Sequence, residues 1–409
     1  MQSSTFIKFD LARVPSPCFV IDEVAIEHNL AVLNYVQEKS GAKVLAALKA
    51  FSCWHLAPLV NQYLSGVCAS GYHEARLGYE EYTNKGEQCE VHVFSAAFSQ
   101  QEFDNVLPIA NHIVFNSFSQ WEKYKEQAMA YQDRVQGSTQ EKNIQFGLRI
   151  NPQHSEGTTE IYDPCAAGSR LGIPISEFAD KNVEGISGLH FHTLCEQGLE
   201  PLRRTLAAVE ESFADYLPTM QWINFGGGHH ISHPDYDVEG LIDLIKAFAK
   251  KYDVQVYLEP GEAIAIRSGV LVSEVLDVMH TDRPQAILDT SATCHMPDTL
   301  EMPYRPDVFL NDGFFDDKVK AGEVSQLAYN YRLGGMTCLA GDVISDYSFQ
   351  EPLRAGDRLM FDDMAHYTMV KTNTFNGIPL PAIAVWNSET DAVRVVKQFT
   401  YDDFKNRLS

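Results

Sequence analysis

Residues 221–262 read QWINFGGGHHISHPDYDVEGLIDLIKAFAKKYDVQVYLEPGE. QWINF (221–225) and VQVYLE (254–259) are short runs rich in Val, Ile, Leu and Phe. Strands covered on both faces have this composition. Between them, Val238 to Lys251 has the apolar spacing of a helix. Strand, helix, strand is the unit of a parallel sheet.

Outward from this stretch the same unit recurs. KVLAALK (43–49), GVCAS (66–70), EVHVFS (90–95), HIVFN (112–116), IQFGLRI (144–150) and GISGLHFH (185–192) bring the runs to eight. Asp22 stands where it would cap a helix over 24–39. Ile26, Leu30, Leu33 and Val36 follow at helical spacing, and Gly41 lies just past the end. Pro201 to Ala214 has a similar texture. Eight units is the number that closes a (β/α)8 barrel, the expected fold; a flat doubly wound sheet is the alternative. After about Val275 the helical period fades. GVLVSEVL, QAILDT, DRLMF, HYTMV, AIAVW and AVRVVK predict strands of a β-rich C-terminal domain. CFVID (18–22) can pair with it, so that both chain ends build it. The expected division is a barrel over 22–275 and a β-rich domain from 1–21 with 276–409.

The chain has 409 residues, 45% hydrophobic and 21% charged, which excludes disorder as its main state. Lys+Arg is 32 and Asp+Glu is 55, so the formal charge is 32 − 55 = −23. That sign argues against nucleic acid or an anionic membrane as partner and mildly favours a cationic ligand. No stretch approaches the roughly 20 apolar residues of a membrane span. The opening MQSSTFIKFDLARVPSP lacks the apolar run of a secretory signal, and the eight scattered cysteines form no C-x-x-C pair. A cytoplasmic protein with reduced thiols is expected.

A barrel carries its active site at the C-terminal ends of its strands, so the residues there come next. The first run ends in Lys49. A lysine there either loses water, which lowers its pKa and makes it a Schiff-base candidate, or snorkels to the rim. The sixth run ends Gly188-Leu189-His190-Phe191-His192, where a period of two puts Gly188, His190 and His192 on one face. The glycine leaves room beneath two imidazoles. These are metal ligands, a platform for a flat cofactor, or a hydrogen-bonded core pair. The seventh run enters Gly226-Gly227-Gly228, whose N–H groups are free to converge on a phosphate, unless the triplet is only a flexible turn. His229, His230 and His233 beyond it read as surface or loop histidines. The eighth run ends Glu259-Pro260-Gly261-Glu262. Arg149, ending the fifth, is a possible partner for Glu259 or for a phosphate. Pyridoxal phosphate reconciles these parts. It needs a lysine, a glycine-lined phosphate cup, a flat group against the ring and an acid at the pyridine nitrogen.

In these motifs the chain resembles the alanine-racemase-fold pyridoxal-phosphate decarboxylases of diaminopimelate, ornithine and arginine. ALKAFS resembles Y-A-x-K-A, which implies Lys49 as the cofactor lysine. CASGYHE resembles C-A-S-x-x-E, with Ser70 and Glu74. GLRI places Arg149. GLHFHTLCEQG resembles H-I-G-S-Q and implies His192 as the residue on the ring. NFGGGHH resembles the phosphate loop, and LEPGE resembles E-P-G-R, implying Glu259 at the ring nitrogen. MTCLAGD resembles C-E-S-G-D, with Cys338 and Asp342. AHYTMVKTNTFNG implies Tyr367 at the phosphate. The departures are Glu262 where the family has arginine, and Cys195 where it has serine. E-P-G-E-A and HMPDTLEMPYRP (295–306) resemble the carboxynorspermidine/carboxyspermidine branch of polyamine synthesis. The resemblance implies a homodimer with shared sites, Cys338 and Asp342 reaching the partner, and Cys338 as proton donor. The implied substrate is a cationic polyamine-type amino acid met by Glu262, Asp298, Glu301 and Asp342. The nearest rivals are the diaminopimelate, ornithine and arginine enzymes. A metal-dependent amidohydrolase, prompted by His190-x-His192, and a non-catalytic regulator of the same fold are more remote.

Overall fold

The computed structural model describes residues 5–83, 89–136, 144–157, 159–310 and 319–409. The chain forms two compact units, one from Glu27–Ile264 and one from Met1–Ile26 with Ala265–Ser409. No helix among the described residues is long and apolar enough to cross a membrane.

Strand β1 (Cys18–Asp22) belongs to the second of these units. The Asp22 side chain accepts from the Val24 N–H at 3.1 Å and so starts the helix Glu23–Ser40. The barrel follows: β2 (Lys43–Ala47), β3 (Gly66–Ala69), β4 (Glu90–Phe94), β5 (His112–Phe115), β6 (Gln145–Arg149), β7 (Gly188–His190), β8 (Trp222–Asn224) and β9 (Gln255–Leu258). Each strand pairs in parallel with the next, and β9 closes on β2 through Lys43↔Tyr257 and Val44↔Leu258. The expected (β/α)8 barrel is therefore present.

Two glycines shape its interior. A Cβ on Gly188 or Gly147 would overlap the Trp222 ring. The space beside Gly188 thus holds an indole, not the imidazoles anticipated there. Trp222 packs with Leu45, Val114 and Tyr257 in the filled lumen. Outside the barrel, the helix Val238–Tyr252 is capped by Asp237, which accepts from the Gly240 N–H at 2.9 Å. It buries Leu241, Ile242, Ile245 and Phe248 and ends at Asp253 with φ 55°.

In the other unit β10 (Gly269–Met279) pairs antiparallel with β1. The remaining strands are β11 (Gln285–Leu288), β12 (Val308–Leu310), β13 (Val319–Lys320), β14 (Tyr329–Gly334), β15 (Val343–Phe349), β16 (Arg358–Asp362), β17 (Ala382–Asn387) and β18 (Ala392–Lys397). The main sheet runs β13-β12-β16-β10-β1-β17-β18, and β11, β14 and β15 branch from β10. Pairing is antiparallel except for β1–β17 and β11–β14. The core is Cys18, Val20, Val270, Val272, Met360 and Ala384, closed by Trp386, Phe6 and Phe9.

Three expectations shift. The barrel unit ends at Ile264 rather than Val275, because β10 spends its apolar face on β1 and β16. HYTMV is not a strand. Asp363, at φ 58°, turns the chain after β16, and Tyr367–Val370 coils into a helical turn. That turn points the Thr368 hydroxyl at Asp298. β14 and β15 lie in stretches that the apolar pattern left unassigned, because tyrosine, serine and charged residues interrupt it.

Overpacking a closed core typically costs about 1–3 kcal/mol. Gly188→Ala is expected to lower the unfolding free energy by such an amount, and the urea midpoint with it. Gly341→Ala, with nothing within 4 Å of the added carbon, leaves the midpoint unchanged.

Candidate active site

Lys49 stands two residues beyond the end of β2, its side chain half-buried. Its Nζ lies 3.4 Å from His192 Nε2. The Gly227 N–H donates to His192 Nδ1 at 2.9 Å, so that nitrogen carries a lone pair and not a proton. The remaining ring proton then sits on Nε2, toward the lysine. Burial, together with the neighbouring Lys49 and Arg149, holds the imidazole well below its usual range. Burial is also the largest influence on Lys49 and lowers its pKa below 10.5; Arg149 adds to this, while Cys68 and Glu259 oppose it. The pair favours an uncharged, nucleophilic amine beside a neutral imidazole.

Arg149, at the end of β6, is buried. Its Nη2 donates to the His192 carbonyl at 3.1 Å and its guanidinium sits 4.5 Å from the Phe94 ring centre. Burial pushes it down to about 10. Its contact is thus with the backbone that carries His192, and not directly with the acid the strand-end reading offered.

Glu259 follows β9. Its Oε1 accepts from Asn224 Nδ2 at 2.7 Å, and its Oε2 lies 3.3 Å from His190 Nε2. Burial alone would raise this carboxyl; His190 and Asn224 outweigh it and hold it at about 2. The mouth therefore eases proton loss from an amine and keeps an acid ionised.

The glycine loop differs from the expectation of three free N–H groups. Gly226 donates to Asn224 Oδ1 at 2.8 Å and Gly227 donates to His192, so two of the three are engaged. Gly226 and Gly228 have φ of 68° and 84°. A Cβ at any of the three would overlap the carbonyl of Phe191, Glu259 or Leu194. The glycines are required first for close backbone approach. Ser70, exposed beyond β3, donates its N–H to Glu74 at 2.7 Å.

His229 is not on the surface. It is 2% exposed, with Nδ1 2.7 Å from the Tyr236 hydroxyl. His230 Nε2 lies 3.1 Å from Glu262 Oε2, so this acid already has a protein partner. Cys195, beyond His192, is half-buried, and burial pushes its thiol up to about 11.

In the second unit Asp342 is buried and well supplied with donors. Ser291 Oγ reaches both its oxygens, the Thr293 N–H donates at 3.2 Å, and Thr337 donates its N–H at 3.2 Å and its hydroxyl at 2.7 Å. Asp298 Oδ2 accepts from the Tyr304 and Thr368 hydroxyls, each at 2.8 Å. Its Oδ1 is buried without a hydrogen-bond partner among the described residues. Glu301 pairs with Lys371. Arg305 bonds Glu323 at 3.1 Å. Cys338 is exposed, its N–H held by Asn376 Oδ1 at 2.8 Å. Tyr367 opens the turn that carries Thr368.

Asn224 drew no attention as a functional residue from the sequence, although it heads the N-F-G-G-G string. His190, from the sequence a candidate metal ligand, cofactor platform or core partner, stands with its Nε2 3.3 Å from Glu259 Oε2.

Among the described residues one group of potential metal ligands gathers, Glu90, His92 and His112, with ligand atoms within 4.8 Å of one another. It sits at the starts of β4 and β5, the end of the barrel opposite Lys49. The two imidazoles stack at 3.8 Å with planes 25° apart. Their in-plane lone pairs run side by side and do not converge, and Lys43 already pairs with Glu90. The group reads as a polar floor.

A family model described as pyridoxal-dependent decarboxylase, C-terminal sheet domain, matches residues 18–365. The chain belongs to the pyridoxal-dependent decarboxylases. This decarboxylase is 40% identical to a carboxynorspermidine/carboxyspermidine decarboxylase of Campylobacter jejuni, over 97% of this chain and 99% of that one. It is also 40% identical to a carboxyaminopropylagmatine decarboxylase of Synechocystis sp., over 97% and 96%. A crystal structure of carboxynorspermidine decarboxylase complexed with norspermidine from Campylobacter jejuni superposes with a TM-score of 0.82, at 38% identity, covering 96% of this chain and 100% of that one. The enzyme is a carboxy-lyase.

Because the Lys49 pKa lies below 10.5, its amine sheds the proton at lower pH than a free lysine. Borohydride reduction of the decarboxylase mixed with pyridoxal phosphate is expected to leave the pyridoxyl group on Lys49. Labelling should rise with pH and level off below the usual lysine pKa. Peptide mapping that found another lysine would overturn the assignment.

Proposed function

We propose that this enzyme binds pyridoxal phosphate in the barrel mouth and decarboxylates carboxynorspermidine, and with it carboxyspermidine. The observation that carries the reading is the pair of opposite settings in one mouth: a buried lysine that gives up its proton more readily than a free one, beside His192, and a glutamate kept as its anion. The donor set fits the cofactor. Lys49 would attach it, His192 would lie against its ring, and Glu259 would face its ring nitrogen. The loop Gly226–Gly228, Ser70 and Tyr367 would meet its phosphate. Held there, pyridoxal phosphate supplies the electron sink that loss of CO₂ from an amino acid requires. Arg149 keeps the His192 backbone in place, and Cys338 would deliver a proton to the substrate's α-carbon.

Cys338 is exposed, and Met336, Leu339 and Phe375 are exposed apolar neighbours in sequence or by the Asn376 bond. An apolar patch around a lone thiol fits burial against a second copy, with Cys338 and Asp342 serving the partner's site. Mixing Cys338→Ala and Lys49→Ala subunits is expected to restore activity that neither has alone, because one site of the hybrid keeps both residues. Confirmed hybrids without activity would exclude sharing.

The substrate's tail carries amines that are cationic near neutral pH, so the acids must be sorted. Glu262 and Glu301 already have cationic or ionisable partners, and Asp342 has its donors. Asp298 accepts only neutral hydroxyls and keeps one oxygen unmatched. The tail reading therefore leans on Asp298. A buried charge pair losing one member costs about 3–5 kcal/mol at full burial. Asp298→Asn is expected to raise KM for carboxynorspermidine by about ten-fold or more, a partial share of that cost at 1.4 kcal/mol per decade. Glu301→Gln is expected to lower stability while KM stays. Steady-state kinetics on folded, cofactor-loaded variants decides it.

The equally similar Synechocystis relative supports a second reading, in which the tail ends in a guanidinium. CO₂ release over carboxynorspermidine, carboxyspermidine, carboxyaminopropylagmatine, diaminopimelate, ornithine and arginine, with and without added cofactor, tests both. Release only from the last three would overturn the proposal.

A further inference from the structure

Glu259 meets two side chains, one from β8 and one from β7. Asn224 ends β8 and His190 ends β7, and the two are register partners. Both are buried, at 1% and 2% exposure. The orientation of the Asn224 amide is not arbitrary. Its Oδ1 accepts from the Gly226 N–H, so its Nδ2 must face Glu259, where it donates at 2.7 Å. His190 stands at the other carboxylate oxygen, 3.3 Å away, with the Phe94 ring beside it.

A buried carboxylate without donors takes up a proton. A protonated Glu259 would offer a donor where a protonated ring nitrogen needs an acceptor. The Asn224 donor, and the His190 ring whose Nε2 stands 3.3 Å from the other oxygen, forestall this. The groups whose charge reaches Glu259 from the surrounding strands are Lys49 after β2, Cys68 on β3, Arg149 on β6 and His190 on β7, with His92 acting from the floor on β4.

Resting on the cofactor reading above, we propose that His190 and Asn224 are positioning residues that keep Glu259 an anion aimed at the cofactor's ring nitrogen. Asn224 at the same time ties that acid to the glycine loop through Gly226. One amide thereby fixes the spacing between the acid at the ring end and the loop at the phosphate end. Neither residue touches the reacting carbon. Their effect passes through Glu259.

The experiment uses the full chain loaded with pyridoxal phosphate. Asn224→Asp keeps the volume and replaces the donor by an acid; His190→Leu removes the second donor; His190→Gln restores an N–H. The readouts are the visible absorbance of the bound cofactor as a function of pH, the cofactor's dissociation constant, and kcat against KM. Asn224→Asp and His190→Leu are expected to make the absorbance pH-dependent across the neutral range, as Glu259 begins to take up a proton. A hydrogen bond to a charged group is strong enough that kcat should fall about ten-fold or more with KM little changed. His190→Gln should recover most of both. A merely structural role would lower thermal stability and leave the pH profile alone. Folded variants with the wild-type pH profile and kcat, beside a wild type that loads and turns over, would overturn this inference and spare the functional reading. A wild type that does not load pyridoxal phosphate would overturn both.

Discussion

The site depends on the seam where the barrel closes. β9 meets β2 over only two register pairs, and beyond them the Ala47 N–H donates to the Pro260 carbonyl at 2.9 Å. That bond draws the Glu259-Pro260-Gly261 turn against the Ala47–Ala50 turn that carries Lys49. A Cβ on Gly261 would come within 2.6 Å of the Ala50 methyl carbon, so the two turns approach as closely as their backbones allow. First and last barrel strands are far apart in sequence, and barrel closure alone makes them neighbours. An open doubly wound sheet of the same eight strands would leave Lys49 and Glu259 at different places along its edge.

Once they are neighbours, burial acts on both and in opposite chemical senses. It disfavours the charged form of each group, which lowers a lysine and raises a glutamate. The outcome is asymmetric because the donors are asymmetric. Glu259 has Asn224 and His190, which together overcome its desolvation. Lys49 has a neutral imidazole for company: burial keeps His192 uncharged, and a backbone N–H from the glycine loop fixes its tautomer. The loop therefore orients the side chains at both ends of the mouth, through Gly227 on His192 and through Gly226 on Asn224. Its conformation is in turn enforced by backbone contacts that exclude any side chain.

The barrel was legible because each strand is buried on both faces and each must be apolar throughout its short length. All eight runs sit where the strands are. The residues at the strand ends were legible for the same reason: Lys49, Arg149, His192 and Glu259 interrupt or terminate apolar runs, and the structure brings all four to one end of the barrel. What could not be read is pairing across strands. That Gly188 makes room for Trp222, that His190 serves Glu259, and that Gly226 and Gly227 spend their N–H groups on side chains all depend on lateral register, which no single strand encodes. Asn224 escaped because an asparagine after an apolar run is also an ordinary turn residue. HYTMV misled because five residues are too few to separate a period of two from one helical turn.

Acid side chains were the least legible part, and the reason is electrostatic. A chain with 55 acids against 32 bases offers more carboxylates than it can pair, so sequence position cannot tell a ligand from a bystander. Of the four acids that resemblance nominated, the structure finds one facing a histidine, one bound to a lysine and one saturated by hydroxyl and amide donors. Only Asp298 has a buried oxygen that nothing in its own unit satisfies. A buried lone pair left open is costly unless something fills it. The two hydroxyls of Tyr304 and Thr368 hold the carboxyl still through Oδ2 and leave Oδ1 open to a donor of the right reach. A secondary or primary ammonium and a guanidinium both answer that description. They differ in shape: an ammonium can bond the single open oxygen, while a guanidinium gains its advantage from two parallel oxygens. With Oδ2 already taken by hydroxyls, Asp298 in its proposed role would suit the ammonium tail better.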